Sequence, residues 1–172
     1  MERSKVYWHL FKKYEIILVV NKRKIILKKK IYIASDHGGF GLKKDVLNYL
    51  NSMQKEYEVI DLGTYSEDSV DYPDYGHKVG KNVIENKNSL GIVICGTGIG
   101  ISISANKVKG IRAALCHSIE YAKLSREHNN ANVLAIGGRF TTLENAEKMI
   151  NTFLSTEFEG GRHIVRVEAI EI

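Results

Sequence analysis

The stretch Gly91-Ile-Val-Ile-Cys95-Gly-Thr-Gly-Ile-Gly100 decides the fold of this chain. Its first five residues are apolar in succession, which is typical of a strand that is covered on both faces. A glycine-rich turn follows, and a helix is predicted from there through Lys107. This order of strand, turn and helix is the repeating unit of an α/β protein.

The same unit recurs on both sides of this stretch. Short β-rich runs predict four further strands, at residues 31–35, 57–62, 111–116 and 133–136. The spacing of apolar residues predicts helices at about residues 42–53, 75–85, 119–127 and 143–154. Five strands that alternate with helices indicate one domain in which a five-stranded parallel sheet is sandwiched between helices.

Charge is distributed unevenly along the 172 residues. Residues 1–30 contain ten Lys or Arg and two acidic residues, whereas the remainder contains 15 basic and 18 acidic residues. The formal charge of +5 and the isoelectric point near 9.1 therefore describe the first 30 residues rather than the domain. Because a nucleic-acid surface needs clustered basic residues on the folded part, we expect no nucleic-acid partner. The sequence also lacks the run of about 20 apolar residues that a membrane span requires.

We expect residues 1–30 to form a basic extension outside the domain and residues 31–172 to form the domain itself. The extension is lysine-rich and contains no glycine, proline or alanine. Three interpretations of it stay open: an organelle-targeting segment, an appendage on the domain, or translated upstream sequence without function. We interpret the tail, residues 159–172, as an arm over a neighbouring subunit.

Cys95 is the first candidate for chemistry, because ligands of open parallel sheets lie beyond the carboxyl ends of the strands. Gly96, Gly98 and Gly100 let several backbone N–H groups converge on an anion, and such a site favours a thiolate. The alternative is an inert core cysteine, which is the commoner role of a single cysteine. Cys95 and Cys116 are too few for a disulfide framework, so we expect a reducing compartment and a cytoplasmic location.

Further candidates follow other strands or lie in loops. Asp36 and His37 follow the first strand of the domain, where adjacent side chains point in different directions. Arg139, Arg162 and Arg166 are candidate phosphate ligands, because the arginine fork matches phosphate oxygens. The plainer alternatives are loop capping for Asp36 or His37 and simple solvation for each arginine.

Two further pairs of candidate residues could have a purely structural role instead of a role in a site. His128 and Asn129 end the fourth predicted helix, where asparagine is a common helix stop. Asp71 and Tyr72 precede the only proline, which forces extended geometry on the residue before it and so suggests a turn. The residues alone do not decide between these roles and a role in a site.

Three common cofactor and catalytic patterns are missing from the sequence. The dinucleotide fingerprint G-x-G-x-x-G fails because Ile101 stands where the third glycine belongs. The six histidines form no H-x-x-x-H or H-E-x-x-H pattern, so no metal site is predicted. A hydrolase elbow, G-x-S-x-G, is also missing. We therefore expect neither a cofactor nor a metal ion.

Eight motifs, taken together, resemble those of one family. They are Ser35-Asp-His-Gly-Gly39, Asp71-Tyr-Pro-Asp-Tyr75, Cys95-Gly-Thr-Gly-Ile-Gly-Ile-Ser102, Ala105-Asn-Lys107, Gly110-Ile-Arg-Ala113, Ser125-Arg-Glu-His-Asn129, Asn132-Val-Leu-Ala135 and Glu159-Gly-Gly-Arg-His163. In this order they are similar to type B ribose-5-phosphate isomerases, which share a family with galactose-6-phosphate and allose-6-phosphate isomerases. The similarity covers residues 31–170, and the first 30 residues have no counterpart in the pattern.

The resemblance implies both a fold and an activity. The fold is a three-layer α/β/α, Rossmann-like domain that works as a homodimer, sometimes a tetramer, with active sites shared between subunits. The activity is that of an aldose–ketose isomerase, which interconverts ribose 5-phosphate and ribulose 5-phosphate through a cis-enediolate without a cofactor. This reaction belongs to the non-oxidative pentose phosphate pathway of carbohydrate metabolism.

The resemblance also implies a role for each candidate residue. Cys95 would be the catalytic base that moves a proton between C1 and C2, which places the chain in the cysteine branch of the family. His128, with Asp36, would open the furanose ring. The oxyanion would be stabilised by Thr97 and by the backbone amides of Gly96, Gly98, Ile99 and Gly100. The sugar and its pocket would involve Asn129, Asp71 and Tyr72, and the phosphate would bind His37, Arg139, Arg162 and Arg166.

Alternatives to this activity stay open. The depth of the pocket cannot be read from a sequence, so a six-carbon substrate, allose 6-phosphate or galactose 6-phosphate, is the first alternative. A noncatalytic nucleotide- or phosphate-binding module is an alternative of another class, suggested by the glycine turn alone. Attachment to nucleic acid through residues 1–30 is a third.

Overall fold

The computed structural model describes residues 17–20, 23–26, 28–53 and 55–171. Its strands are β1 (Ile17–Val20), β2 (Arg23–Ile26), β3 (Lys29–Ser35), β4 (Tyr57–Asp61), β5 (Ser89–Cys95), β6 (Ala113–Leu115) and β7 (Val133–Gly137). Its α-helices are α1 (Phe40–Ser52), α2 (Tyr72–Glu85), α3 (Ile99–Ala105), α4 (Ile119–Asn129), α5 (Leu143–Ser155) and α6 (Ile164–Glu168). Two 3-10 turns occupy His37–Gly39 and Gly161–His163.

Strands β3 to β7 form one parallel sheet in the order β4-β3-β5-β7-β6. The central strand is β5, and every residue in it is buried, as its run of apolar residues predicts. The neighbouring strand β7 is buried along its whole length as well. The predicted five-stranded parallel sheet is confirmed.

Helices cover both faces of this sheet. Side chains along β3 alternate between the faces, so that Ile31 and Ile33 enter one core cluster while Tyr32 and Ala34 enter the other. The first cluster includes buried residues of α1, α4 and α5, and the second includes buried residues of α2 and α3. The domain is therefore a three-layer α/β/α, Rossmann-like structure, and each large side chain buried between layers contributes about 1.5–3 kcal/mol.

Several element boundaries differ from the prediction by one to three residues, and two of these differences have a clear physical reason. Helix α2 begins at Tyr72, whereas the sequence suggested a start near Tyr75. Pro73 is its second residue, a position where a backbone N–H has no partner within the helix, so proline does not interrupt it. Strand β6 is limited to Ala113–Leu115, shorter than the predicted 111–116, because it is an edge strand that pairs only with β7.

The N-terminal part contains structure that the sequence did not predict. Strands β1 and β2 pair antiparallel as a hairpin. Strand β3 begins at Lys29, so the last two residues of the predicted extension pair with Tyr57 and Glu58 of the sheet. The described residues do not decide between the three interpretations of residues 1–30, because residues 1–16, 21, 22 and 27 lie outside them. Ile172 of the tail also lies outside the described residues. Among the helices described, none has the length and apolar character to cross a membrane.

The described tail folds back on its own chain. The backbone N–H of Glu159 donates to the carbonyl of Glu127 at the end of α4, over 3.1 Å. Near the other end, the Glu171 carboxylate pairs with Arg112 over 2.7 Å and accepts from the N–H of Gly110. The predicted arm over a neighbouring subunit stays a prediction.

Candidate active site

A crevice is expected at the carboxyl edge of the sheet between β3 and β5, because their connections leave toward opposite sides of the sheet. The loops after these strands contact each other there. The N–H of Asp36 donates to the carbonyl of Ile94 over 3.2 Å. A Cβ atom on Gly38 would lie 3.1 Å from the nitrogen of Gly96, so glycine permits this close approach.

Cys95 ends β5 at this edge, and its side chain is 4% exposed. The N–H of Gly98 points at its sulfur, with 3.1 Å between nitrogen and Sγ. Gly98 has a φ of 77°, and a Cβ atom there would lie 2.5 Å from Cδ1 of Leu115. Only glycine fits this position without strain, and it aims a donor at the sulfur where a thiolate would carry its charge.

The rest of the turn is exposed enough to meet a ligand. Thr97 and Ile99 are exposed, and the N–H of Ile99 donates to Oγ1 of Thr97 over 3.3 Å. The ring of Tyr72 lies against the turn, since a Cβ atom on Gly100 would be 2.5 Å from its Cζ. Asp71 precedes α2 and makes no capping hydrogen bond, so a role in the turn alone does not explain its carboxylate.

Asp36 and His37 face different partners, as predicted for adjacent residues. Asp36 is buried, and its Oδ1 accepts from the N–H of Gly39 over 2.9 Å. The Nδ1 atom of His37 lies 3.2 Å from both the nitrogen and the oxygen of Val70. His37 therefore joins the loop after β3 to the segment that leads into α2.

Arg139 lies over the glycine turn. Its backbone N–H donates to the carbonyl of Gly96 over 3.1 Å, and a Cβ atom on Gly96 would be 3.2 Å from the guanidinium carbon. The sequence-predicted residues that the structure brings to this edge are named here the strand-edge group. They are Asp36, His37, Asp71, Tyr72, Cys95, Gly96, Thr97, Gly98, Ile99, Gly100 and Arg139.

The other predicted residues lie elsewhere and are named here the helix-end group. They are His128, Asn129, Arg162 and Arg166. Helix α4 begins after the carboxyl end of β6 and, with 11 residues, runs back for about 16 Å. The carbonyl of Asn129 at its end accepts from Nε of Arg112, the residue before β6. Within one chain, this group therefore lies at the amino edge of the sheet, opposite Cys95.

The helix-end group is continued by two residues that the sequence analysis did not single out, Glu159 and His163. The rings of His128 and His163 are stacked, with centroids 4.3 Å apart and planes 9° from parallel. Oε2 of Glu159 lies 3.9 Å from Nε2 of His128 and 3.7 Å from Nε2 of His163. Glu159 is the first and His163 the last residue of the motif Glu159-Gly-Gly-Arg-His163. Their spacing of four residues was the signal in the sequence that could have marked them as a pair.

This cluster offers three metal-ligand atoms that lie within 4.8 Å of one another. Its geometry does not suit a shared ion, however. Because the imidazole planes of His128 and His163 are nearly parallel, their lone pairs point side by side rather than at one centre. Both rings would have to rotate before they held the same metal.

A buried ion pair beside the strand-edge group was also missed. Lys43 is 1% exposed, and its Nζ lies 2.7 Å from both carboxylate oxygens of Asp61. Asp61 also accepts from the N–H of Gly63, so the pair ties α1 to the loop after β4. The sequence gives no signal that Lys43 is buried, because a lysine in a helix is almost always exposed.

A cavity of about 580 Å³ lies at the amino edge of the sheet rather than beside Cys95. Its lining includes Lys29, Tyr57, Ser89 and Asn132, which lie at or next to the amino ends of four strands. Burial, with a contribution from the charge of Arg126, lowers the pKa of Lys29 to about 8. We assign no step of the chemistry to this cavity, because the strand-edge group does not line it.

Known proteins resemble this chain in sequence and in fold. The sequence profile of the family described as Ribose/Galactose Isomerase matches residues 31–170. Ribose-5-phosphate isomerase B of Escherichia coli K12 is 48% identical over 142 residues, which cover 83% of this chain and 94% of the relative. The structure of the Clostridium thermocellum ribose-5-phosphate isomerase B has a TM-score of 0.80 and 53% identity, covering 83% of this chain and 95% of that one. The Mycoplasma genitalium enzyme, solved with bound ribulose 5-phosphate, has a TM-score of 0.78 and 46% identity, covering 82% and 93%. The chain belongs to the ribose/galactose isomerase family.

Proposed function

We propose that this chain interconverts ribose 5-phosphate and ribulose 5-phosphate, as an aldose–ketose isomerase. The observation that carries the proposal is the sulfur of Cys95 at the carboxyl edge, 3.1 Å from the N–H nitrogen of Gly98, with the Arg139 guanidinium over the same turn. Such a reaction needs a base, a site for a transient anion and an anchor for the phosphate. The family, and the relative that binds ribulose 5-phosphate, support this substrate.

In the proposed reaction, the Cys95 thiolate removes the proton on C2 of the open-chain aldose. The electron pair forms a C1–C2 double bond, and the carbonyl oxygen O1 takes the negative charge of a cis-enediolate. The N–H groups of residues 96–100 and the Thr97 hydroxyl stabilise that charge. Cys95 returns the proton to C1 while the hydroxyl proton of O2 moves to O1, which leaves the carbonyl of the ketose at C2. Atoms and electrons balance within the sugar and the sulfur.

We propose that the protein is a homodimer in which the helix-end group of one subunit completes the strand-edge group of the other. Ring opening needs a base for the anomeric hydroxyl and an acid for the ring oxygen, and Asp36 and His128 would share these transfers. Within one chain they lie at opposite edges of the sheet. Ile99 and Ile103, one turn apart on α3, are 52% and 56% exposed and offer apolar surface for a second copy. Asn129 would then hold the sugar, and Arg162 and Arg166 would join Arg139 and His37 at the phosphate.

Mixing two inactive variants tests the shared site. Cys95→Ala and His128→Asn should each be nearly inactive, because every site of either homodimer carries one of the two defects. A mixed dimer has one site with both defects and one intact site, so random exchange of equal amounts should restore about a quarter of wild-type activity. Energy transfer between subunits that carry different fluorescent labels confirms that exchange occurred. Exchange without recovered activity would contradict a shared site.

Substrate preference tests the activity itself. We expect kcat/KM for ribose 5-phosphate to exceed that for allose 6-phosphate or galactose 6-phosphate in a coupled assay of purified protein. A higher value for a six-carbon sugar would assign the alternative substrate. Calorimetric binding of NAD or ATP, combined with no turnover of any of the three sugars, would instead assign a noncatalytic binding module.

We also propose that residues 31–172 are the isomerase domain, that residues 1–30 are an extension, and that the protein is cytoplasmic. The two free cysteines support a reducing compartment. Because Lys29 and Lys30 belong to β3, a deletion that tests the extension should remove residues 1–27 only. We expect this shortened protein to keep wild-type kcat/KM. A loss of activity with an unchanged melting temperature would show that the extension takes part in catalysis.

A further inference from the structure

His163 lies between two residues that the proposed reaction uses for different purposes. The side chain of His163 is 11% exposed, so its position is fixed by packing. On one side its ring is stacked on His128, the proposed ring-opening residue, at 4.3 Å between centroids. On the other side its Nε2 atom lies 3.4 Å from Nε of Arg162, a proposed phosphate ligand.

The contact with Arg162 specifies the state of the His163 ring. A guanidinium can only donate hydrogen bonds, so Nε2 of His163 must carry a lone pair and the ring proton must lie on Nδ1. Burial, and then the charges of His128 and Arg162, lower the pKa of His163 below its ordinary value. Arg166 acts in the same direction, whereas Glu159 opposes it. The neutral ring that the contact requires is therefore the form expected near pH 7.

Glu159 completes the surroundings of the two stacked rings. Its backbone is held by the hydrogen bond from its N–H to the carbonyl of Glu127, one residue before His128. Its carboxylate is closer to Nε2 of His163 than to Nε2 of His128, at 3.7 Å and 3.9 Å. The pair of stacked rings is therefore bordered by a carboxylate near the Nε2 atom of each ring.

We propose that His163 is a positioning residue that fixes the ring plane of His128 by stacking and the orientation of Arg162 through the lone pair on Nε2. This inference rests on the proposed function, because it concerns the roles of those two residues. The acid–base group for the sugar ring and a cation for the phosphate are thereby held at one spacing by a single rigid side chain. In this role His163 acts through His128 and Arg162 rather than on the sugar phosphate itself.

Two substitutions separate the two contacts. His163→Phe keeps an aromatic ring for the stack but removes the acceptor, so KM should rise about tenfold for both ribose 5-phosphate and ribulose 5-phosphate while kcat changes little. His163→Gln keeps an acceptor near the position of Nε2 but removes the stack. It should lower kcat about tenfold for ribose 5-phosphate and less for ribulose 5-phosphate. We expect the smaller loss of kcat for ribulose 5-phosphate because this ketose needs no ring opening. Its C5 oxygen carries the phosphate, so it has no hydroxyl that could close a five-membered ring on C2.

A double substitution tests whether His163 acts through Arg162. In an Arg162→Ala background, His163→Phe should cause no further rise in KM, because the residue that it orients is gone. Equal rises in KM in both backgrounds would overturn the inference. So would two single variants that change kcat and KM alike for both sugars, since that pattern indicates a merely structural role. Melting temperatures of all variants identify any that are partly unfolded.

A measurement without substrate separates this inference from the proposed function. Nitrogen NMR of imidazole-labelled wild-type protein at pH 7 should show His163 neutral, with an unprotonated Nε2. A proton on Nε2 would overturn the inference even if the protein is an active isomerase. If the wild-type protein instead turned over none of the sugar phosphates, the proposed function would fail while the NMR result stood.

Discussion

Strand β5 ends in a cysteine, Cys95, and strand β6 is followed by one, Cys116, and the two turns at these positions differ. Cys95 and Cys116 are buried to nearly the same degree, at 4% and 2% exposed. At Cys95 the backbone turns so that the N–H of Gly98 points at the sulfur. At Cys116 the sulfur instead lies 3.6 Å from the carbonyl of Ala114, to which a thiol donates, and burial raises its pKa to about 11. We therefore expect the two buried cysteines to differ in reactivity, because the direction of the backbone dipoles around a sulfur decides whether its negative form is stabilised.

The largest expected difference between the two turns is in turnover. Cys95→Ala should reduce kcat for ribose 5-phosphate by about 1000-fold or more, because it removes the proposed base for the C2 proton. Cys116→Ala should leave kcat within about twofold, since its neutral thiol is outside the site. Steady-state kinetics of both variants check this. Full turnover by Cys95→Ala would rule out the proposed base.

Displacing the N–H donor of Gly98 is expected to have the next largest effect. Gly98→Ala places a Cβ atom 2.5 Å from Leu115 and 2.8 Å from the backbone carbon of Ile136, at a φ of 77°. We expect a loss of about 2–4 kcal/mol in unfolding free energy and of about 100-fold in kcat. Gly41→Ala is the matched control, because its Cβ meets nothing within 4 Å in helix α1, and it should be neutral or slightly stabilising. Unaltered kinetics in a folded Gly98→Ala protein would contradict the role of this turn.

Chemical reactivity gives a smaller but more direct contrast. Iodoacetamide at pH 8 should modify Cys95 at least about tenfold faster than Cys116, because the thiolate is the reacting form and burial keeps Cys116 protonated. Ribulose 5-phosphate should slow the modification of Cys95. Mass spectrometry of digests, with activity followed in parallel, measures both rates. Preferential modification of Cys116 would reverse the comparison.

The smallest expected effect is on stability at high pH. The pKa of Cys116 is raised in the folded protein, so its contribution to stability is complete below the pKa of the unfolded chain and is lost as pH rises toward about 11. Urea unfolding should therefore show wild type losing about 1 kcal/mol relative to Cys116→Ala between pH 8 and pH 10. A pH-independent difference between the two proteins would show that the folded-state pKa of Cys116 is close to that of the unfolded chain.

Much of the fold could be predicted because buried strands and helices have recognisable patterns of apolar residues in the sequence. The unbroken apolar run of β5 and the alternation in β3 place these strands, and the glycine turn places Cys95 at the edge. The hairpin of β1 and β2 was missed because the two residues between these strands, Asn21 and Lys22, lack the glycine of the strongest hairpin signal. The start of α2 was placed late because a proline in the first helical turn resembles a helix boundary.

The candidate residues could be named from the sequence, but their division into two groups could not. Whether Cys95 and His128 lie at one edge depends on the direction of α4 and on the short connection between Asn129 and Val133. No local pattern near His128 carries that information. Likewise, the stack of His128 on His163 joins residues 35 positions apart, and only folding of the tail brings them together.

The short connection between the N-terminal hairpin and the central sheet has a mechanical consequence. Strand β2 ends at Ile26 and β3 begins at Lys29, so whatever precedes Lys28 is coupled almost directly to an interior strand. The far end of that strand delivers Asp36 to the crevice. We expect a surface tether or bulky fusion at the N-terminus to load this strand in line with its axis and to disturb turnover. A tether beyond Glu171 would pull on the surface tail instead.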